Sequence, residues 1–315
     1  MEYGFGIDLG GTAVKLGYYH TSGKLLDKWE IPTDTSENGA NILKDIAASV
    51  ENYMAQNRIP RDKIMGIGIG VPGPVDKKGN VNRCVNLGWG VFNIENELSA
   101  LTGFPVKAAN DANVAALGEC WQGAAKGFEN VVMLTLGTGV GGAVILDGQI
   151  LHGSHGAAGE VGHMVMDPEE KEPCGCGKFG CAEQYCSATG IVRVAKKYLK
   201  MSFDPSSLRE IEQLTCKDVF DAAAAGDAAA TEILEQVCGY LAKLCADICA
   251  VVNPEVIVIG GGVSKAGGVL IEGIKAHFER FAFHAVRNVQ FVLATLGNDA
   301  GTCGAFRLIQ LTVDN

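Results

Sequence analysis

Residues 5–19 read FGIDLGGTAVKLGYY, and residues 132–146 read VMLTLGTGVGGAVIL. Both are an apolar run, a tight turn of glycine and threonine, and a second apolar run, which is the pattern of two antiparallel strands joined by a hairpin. Ser22-Gly23 and Asp147-Gly148 mark a further turn after each. The echo continues downstream. Residues 64–71 form an apolar run closed by Pro72, Gly73 and Pro74, and residues 255–259 one closed by Gly260, Gly261 and Gly262. Helical spacing is expected over 41–56, 111–121, 188–200, 228–252, 268–281 and 301–310. Ser36 and Asp227 are expected N-caps, and Pro254 stops the longest helix. A strand meander followed by mixed strands and helices, twice over, predicts an α/β protein of two similar lobes with a central cleft. The first lobe is expected over 1–112 and the second over 113–300, with a final helix, 301–315, packing back on the first.

Composition narrows the function classes. The 315 residues are 47% apolar and 20% charged, which excludes a disordered chain. The 42 glycines are clustered without a G-X-Y period, so they mark backbone packed close to something. Lys plus Arg total 26 against 36 Asp plus Glu, a net charge of −10, and no dense basic stripe interrupts it. Nucleic acid and anionic membranes are therefore poor partners. The opening MEYGFGIDLGG has no basic region before an apolar core, so no signal peptide is expected, and the charge-free run 130–146 is too short for a membrane span. Most of the 11 cysteines stand singly; Cys238, Cys245 and Cys249 lie in apolar helical contexts. Free buried thiols and a cytoplasmic location follow.

Two segments match G-x-G-x-x-G, one at Gly68, Gly70 and Gly73, the other at Gly137, Gly139 and Gly142. A dinucleotide fold needs a helix directly after the glycines. Pro72 and Pro74 forbid one after the first, and a strand follows the second; no G-x-x-x-x-G-K-[ST] occurs either. What remains is a pair of hairpin turns, 8–12 and 137–142, whose small residues let backbone N–H groups approach phosphate oxygens. Thr12 and Thr138 add hydroxyls, and Lys15 could meet a phosphate. Asp8 ends a buried strand, where a carboxylate needs a partner or a cation. Two such turns suggest lobes that grip a Mg-nucleotide.

Cys174, Cys176 and Cys181 form C-x-C-x4-C in a glycine-rich loop, a zinc pattern in a reducing compartment. A fourth ligand is needed: His163, at the end of an expected strand 161–166, leads, with His155 and Cys186 as further candidates. Four ligands leave no open position, so such a site orders a loop. Glu160 and Glu183 are carried beside it, and carboxylates with an imidazole suit a polyhydroxylated ligand. Asn110 and Asp111 follow an expected strand, 106–109, and open a helix. Asp111 reads as either a helix cap or a base taking a hydroxyl proton during phosphoryl transfer, with Asn110 orienting the acceptor.

The LGTGVGG run, the segment from Gly159 to His163 and the cysteine loop ending at Glu183 together resemble the ROK family of bacterial sugar kinases and sugar-responsive repressors, within the actin-like ATPase superfamily. The resemblance spans essentially the whole chain and implies an actin-like (ribonuclease H-like) fold and ATP-dependent phosphorylation of a hexose. It makes Asp111 the catalytic base and places Asn110, Glu160, His163, Glu183 and backbone near Gly73 on the sugar. Asp8 would meet Mg2+ through water. Gly10, Gly11, Thr12, Gly137, Thr138 and Gly139 would meet phosphates, with Gly260, Gly261 and Gly262 near adenosine. His163, Cys174, Cys176 and Cys181 would hold structural Zn2+. The first glycine hairpin begins at residue 8, so a DNA-binding domain like that of the repressors is not expected ahead of it. The segment from Asn86 to Trp89 and the form GAAGEVGH are most similar to those of the glucokinase subfamily. N-acetylmannosamine, N-acetylglucosamine and fructose kinases share nearly the same polar residues, and a non-catalytic sugar sensor is the rival class. The resemblance also implies a homodimer or tetramer.

Overall fold

The computed structural model describes residues 1–313. The chain begins with β1 (Tyr3–Leu9), β2 (Ala13–His20), β3 (Leu25–Pro32), α1 (Ile42–Asn57) and β4 (Ile64–Val71). Next come β5 (Asn80–Cys84), β6 (Trp89–Asn93), α2 (Ile94–Thr102), β7 (Val106–Asn110) and α3 (Asp111–Gln122). The second hairpin is β8 (Val131–Leu136) and β9 (Val140–Leu146), followed by β10 (Gln149–Ile150). Then follow α4 (Glu183–Cys186), α5 (Ala188–Met201), α6 (Cys216–Ala224) and α7 (Ala228–Val252). The last elements are β11 (Val256–Gly260), α8 (Gly268–Phe281), β12 (Gln290–Leu293) and α9 (Ala300–Val313). Positions 314–315 of the expected last helix lie outside the described residues.

One compact unit comprises Met1–Glu129, Ala143–Ala158 and the residues from Thr295 on; the other comprises Asn130–Gly142 and Gly159–Ala294. The first unit is built on a sheet of order β3-β2-β1-β4-β7, antiparallel from β3 to β1 and parallel from β1 to β7. The other five-stranded sheet runs β10-β9-β8-β11-β12, antiparallel between β10 and β9 and parallel from β8 to β12. The echo in the sequence is thus an echo in topology, with the glycine turns in corresponding places.

Alternation along β1 explains how the first sheet is covered on both faces. Phe5, Ile7 and Leu9 join Ile42, Ile46 and Val50 of α1 in one buried cluster. Gly4 and Gly6 point the other way, toward α9. A Cβ on Gly6 would stand 1.9 Å from Thr302 O, and one on Gly68 of β4 1.7 Å from Ala305 O, so the α9 backbone lies directly on the sheet. The α3–α9 crossing is equally close, since a Cβ on Gly304 would stand 1.6 Å from Val114 O. Part of the glycine excess therefore serves a helix. The same contact draws α3 into the first unit, whereas the sequence reading divided the chain at 112/113.

Six expected helices match α1, α3, α5, α7, α8 and α9 to within a few residues. Asp227 caps α7 by accepting from Ala230 N at 3.0 Å, and the helix ends at Asn253 in the left-handed region (φ 49) before Pro254. Ser36 does not cap α1: its hydroxyl bonds the Asp34 carboxylate, and Asn41 precedes the helix. The expected strand 161–166 is instead a single 3-10 turn, Val161–His163. Glycines at 159 (φ 92) and 162 let the chain turn there, and His163 N bonds Glu160 O at 3.2 Å. The β5–β6 hairpin, α2, α4, α6 and β12 are not anticipated by the sequence; all are short, and in β5 exposed Arg83 stands where alternation from buried Val81 would need an apolar residue. Among the described residues no helix is long and apolar enough to cross a membrane.

Candidate active site

In the first unit, Asp8 lies near the end of β1 and faces Lys15 across the β1–β2 register, with Oδ2 and Nζ 3.5 Å apart. The lysine expected to meet a phosphate is thus engaged with the carboxylate expected to meet a cation. The turn from Gly10 to Thr12 is closed by Gly10 N donating to Ala13 O at 3.0 Å, and Thr33 Oγ1 donates to Gly10 O at 2.7 Å. Space beside Gly11 is open. Sequence reasoning missed Gly301: a Cβ there would stand 2.6 Å from Asp8 Cγ, so the first turn of α9 rests on this carboxylate. Two glycines, 301 and 304, at the start of a helical pattern are the sole signal.

Asn110 is the N-cap of α3: Oδ1 accepts from Ala112 N at 2.9 Å and from Asn113 N at 3.3 Å, leaving Asp111 as first helical residue. Asp111 Oδ1 accepts from Ala112 N at 2.8 Å. A helix N-terminus favours a negative charge there. Asn110 Nδ2 donates to Gly73 O at 3.3 Å, while Cys84 Sγ donates to Pro72 O at 2.8 Å and Asn82 N to Pro74 O at 2.9 Å. The loop after β4 is therefore moored to the cap of α3 and to the unexpected β5 strand. Gly73, Asn110 and Asp111 form one group.

In the second unit, Gly137 N donates to Gly139 O at 3.0 Å to close the turn between β8 and β9. Glu183, expected among sugar hydroxyls, turns one oxygen to this turn: Oε2 accepts from Val140 N at 3.2 Å. Its other oxygen, Oε1, lies 3.6 Å from Cys174 Sγ. Glu160 is exposed on the turn that carries His163. Gly260 ends β11, and Gly261 (φ 84) runs so close to β8 that a Cβ would stand 2.5 Å from Leu136 O. Space beside Gly262 is open.

His163, Cys174, Cys176 and Cys181 present ligand atoms that all lie within 4.8 Å of one another. Cys176 Sγ and Cys181 Sγ are 3.6 Å apart, and Cys174 Sγ is 4.0 Å from His163 Nδ1. A tetrahedron with zinc–sulfur bonds of about 2.3 Å has edges of about 3.8 Å, so the donor set fits such an ion. Neither His155, which is exposed, nor Cys186 belongs to this group; burial pushes the Cys186 thiol well up. The loop is shaped by Cys174 N donating to Lys178 O at 2.7 Å and by Gly180 (φ 70), where a Cβ would meet Asp167 O at 1.8 Å.

The ROK family model matches residues 4–311. The chain belongs to the ROK family. It is 43% identical over 315 residues to a glucokinase of Halalkalibacterium halodurans, covering 97% of this chain and 94% of that one. A ROK hexokinase structure from Thermus thermophilus superposes with a TM-score of 0.83 at 31% identity, covering 99% of both chains. A ROK family glucokinase from Streptomyces griseus, solved in complex with glucose and AMPPNP, gives 0.76 at 30% identity, covering 98% of this chain and 99% of that one. The two matched sheets, with their glycine hairpins, are those of a two-lobed actin-like ATPase fold. This ROK chain carries an acidic residue at the start of α3 and a group of one histidine and three cysteines.

Proposed function

We propose that this ROK protein is an ATP-dependent hexose kinase that phosphorylates glucose at O6, giving glucose 6-phosphate and ADP. The Asn110–Asp111 pair opening α3, in a chain similar to glucokinases end to end, carries the reading. Asp111 accepts the hydroxyl proton as O6 bonds to the γ-phosphorus and the bond to the ADP oxygen breaks. A loose phosphoryl-transfer transition state asks for position more than for a strong base. Asn110 is held by the α3 amides and Gly73 O, so it orients the acceptor from a fixed rotamer. Glu160, His163 and Glu183 bind further sugar hydroxyls.

ATP and Mg2+ are the cofactors of this reading. Asp8 faces the hydrated Mg2+, whose charge would offset that building on the transferring group. Backbone amides from Gly10 to Thr12 and from Gly137 to Gly139 hold phosphates, with Lys15 beside the first set, and Gly260, Gly261 and Gly262 approach the nucleoside. His163, Cys174, Cys176 and Cys181 hold a structural Zn2+ that fixes the loop carrying His163 and Glu183. The protein works in the cytoplasm, where its cysteines stay reduced, as a homodimer or tetramer.

A coupled assay with ATP, Mg2+ and a panel of glucose, N-acetylmannosamine, N-acetylglucosamine and fructose tests the reading. Glucose-dependent ADP release is expected to exceed that with the other sugars. Preference for another hexose would move the protein to a sibling kinase. Absence of sugar-dependent ADP release across the panel would leave a sensor.

A further inference from the structure

We propose that Ala188 and Thr189, at the start of α5, are positioning residues for the phosphate-facing turn from Gly137 to Gly139. The inference deepens the hexose-kinase reading and rests on it. Two carbonyls of the turn are pinned from this helix end: Ala188 N donates to Gly137 O at 2.8 Å, and Thr189 Oγ1 donates to Thr138 O at 2.8 Å. In a trans peptide the C=O and the following N–H point in opposite directions. Pinning Gly137 O and Thr138 O to α5 therefore aims the amides of Thr138 and Gly139 away from it, on the side where a phosphate is to be received. Beyond the turn, Val140 N is taken by Glu183 Oε2 at 3.2 Å. A Cβ on Gly139 would stand 2.2 Å from that oxygen, so the turn is seated against Glu183 with no room for a larger residue.

The elements that do the pinning follow directly on the cysteine loop. Glu183 opens α4, two residues after Cys181. Ser187 caps α5, with its Oγ accepting from Gly190 N at 2.9 Å. Backbone amides grip an anion well only when already aimed, because orienting them after binding consumes affinity. Thr189 is exposed and packs no core; besides Thr138 O its hydroxyl meets Ser187 Oγ, the cap of α5, at 3.0 Å.

Two variants test the pins: Ala188→Pro deletes one, and Thr189→Val deletes the other together with the 3.0 Å contact between Thr189 Oγ1 and Ser187 Oγ. Ala188 is the first helical residue, where proline is well accommodated, and Ser187 before it is extended (φ −77, ψ 167) as a pre-proline residue must be. Ala188→Pro therefore removes the donor to Gly137 O and leaves the helix. Thr189→Val removes the hydroxyl at nearly constant shape, and Thr189→Ser restores it. Titration of the purified full chain with AMPPNP and Mg2+ is expected to show affinity about 2- to 10-fold weaker for Ala188→Pro and Thr189→Val, with Thr189→Ser at the wild-type value. Glucose affinity, zinc content and melting temperature are expected to stay unchanged, a split that a general structural role would not give. Wild-type AMPPNP affinity in both deletion variants would overturn the inference alone. Wild-type protein binding neither AMPPNP nor glucose would bring down the kinase reading and this inference together.

Discussion

Glu119 offers the sharpest test of how the first unit holds together. It is a fully buried carboxylate on α3, and no lysine or arginine side chain bonds it among the described residues. Instead it collects amides. Oε2 accepts from Ala124 N at 2.8 Å, and Oε1 accepts from Thr295 N at 3.0 Å and from Leu296 N at 2.8 Å. Thr295 Oγ1 adds a longer contact at 3.3 Å. The carboxylate thereby fastens the strand-to-helix connection before α9 onto α3. Removing it in Glu119→Ala strands three backbone donors. Each buried, unsatisfied donor costs about 1–3 kcal/mol. Thr295 is exposed while Ala124 and Leu296 are half-buried, so water recovers part of that cost. The expected net loss is about 3–5 kcal/mol, a fall in melting temperature of roughly 6–20 °C for a domain of this size. Glu119→Gln keeps one accepting oxygen but turns an N–H pair toward a donor, so it should lose less, about 1–3 kcal/mol. Scanning calorimetry gives the ordering, and amide hydrogen exchange at Ala124, Thr295 and Leu296 localises it. A Glu119→Ala protein that melts within about 2 °C of wild type, with those amides still protected, would refute the reasoning.

Other substitutions reach the proposed chemistry and the loops around it. Asp111→Asn should lower turnover by about 100- to 10,000-fold while glucose affinity in direct titration changes little; normal turnover would remove Asp111 as the base. Gly301→Ala should shift the Asp8 carboxylate, because the new Cβ would stand 2.6 Å from Cγ. More Mg2+ should then be needed for half-maximal activity, and an unchanged Mg2+ titration would contradict this. Chelation should release zinc at roughly one ion per chain and lower the melting temperature; purified protein free of zinc and insensitive to chelator would refute the metal site.

Glu170 supplies a pH test. Burial works against its charge, yet the Arg193 guanidinium, the Glu172 amide, the Tyr185 hydroxyl and the Lys171 amide outweigh it and hold the carboxyl well below the usual range. A carboxyl depressed by folding stabilises above its unfolded pKa and loses that contribution as pH falls toward the lower folded value. Wild-type melting temperature should therefore drop more steeply below about pH 4.5 than that of Glu170→Gln, as a thermal-shift series from neutral to acid pH would show.

The sequence by itself determined the duplicated strand–turn–strand units, six of the helices and the cysteine spacing, because these rest on local periodicity and local turn chemistry. Helix 228–252 could be bounded from Asp227 and Pro254 alone, since a cap and a proline act on their own neighbours. Where a residue's partner lies far along the chain, only the folded structure decided. Gly6 and Gly68 belong to a glycine excess that reads only as backbone packed close to something; that something is α9, some 240 to 300 residues away in sequence, through Thr302 and Ala305. Glu183 read as a hydroxyl-binding carboxylate, and its tie to Val140 appears only once α4 is packed beside the second hairpin. Glu119 gave no signal at all, because its donors are backbone amides that any residue would supply at those positions. Side-chain chemistry and short-range periodicity are written in the sequence, whereas which backbone a glycine admits or a carboxylate fastens is fixed by contacts made only when distant segments meet.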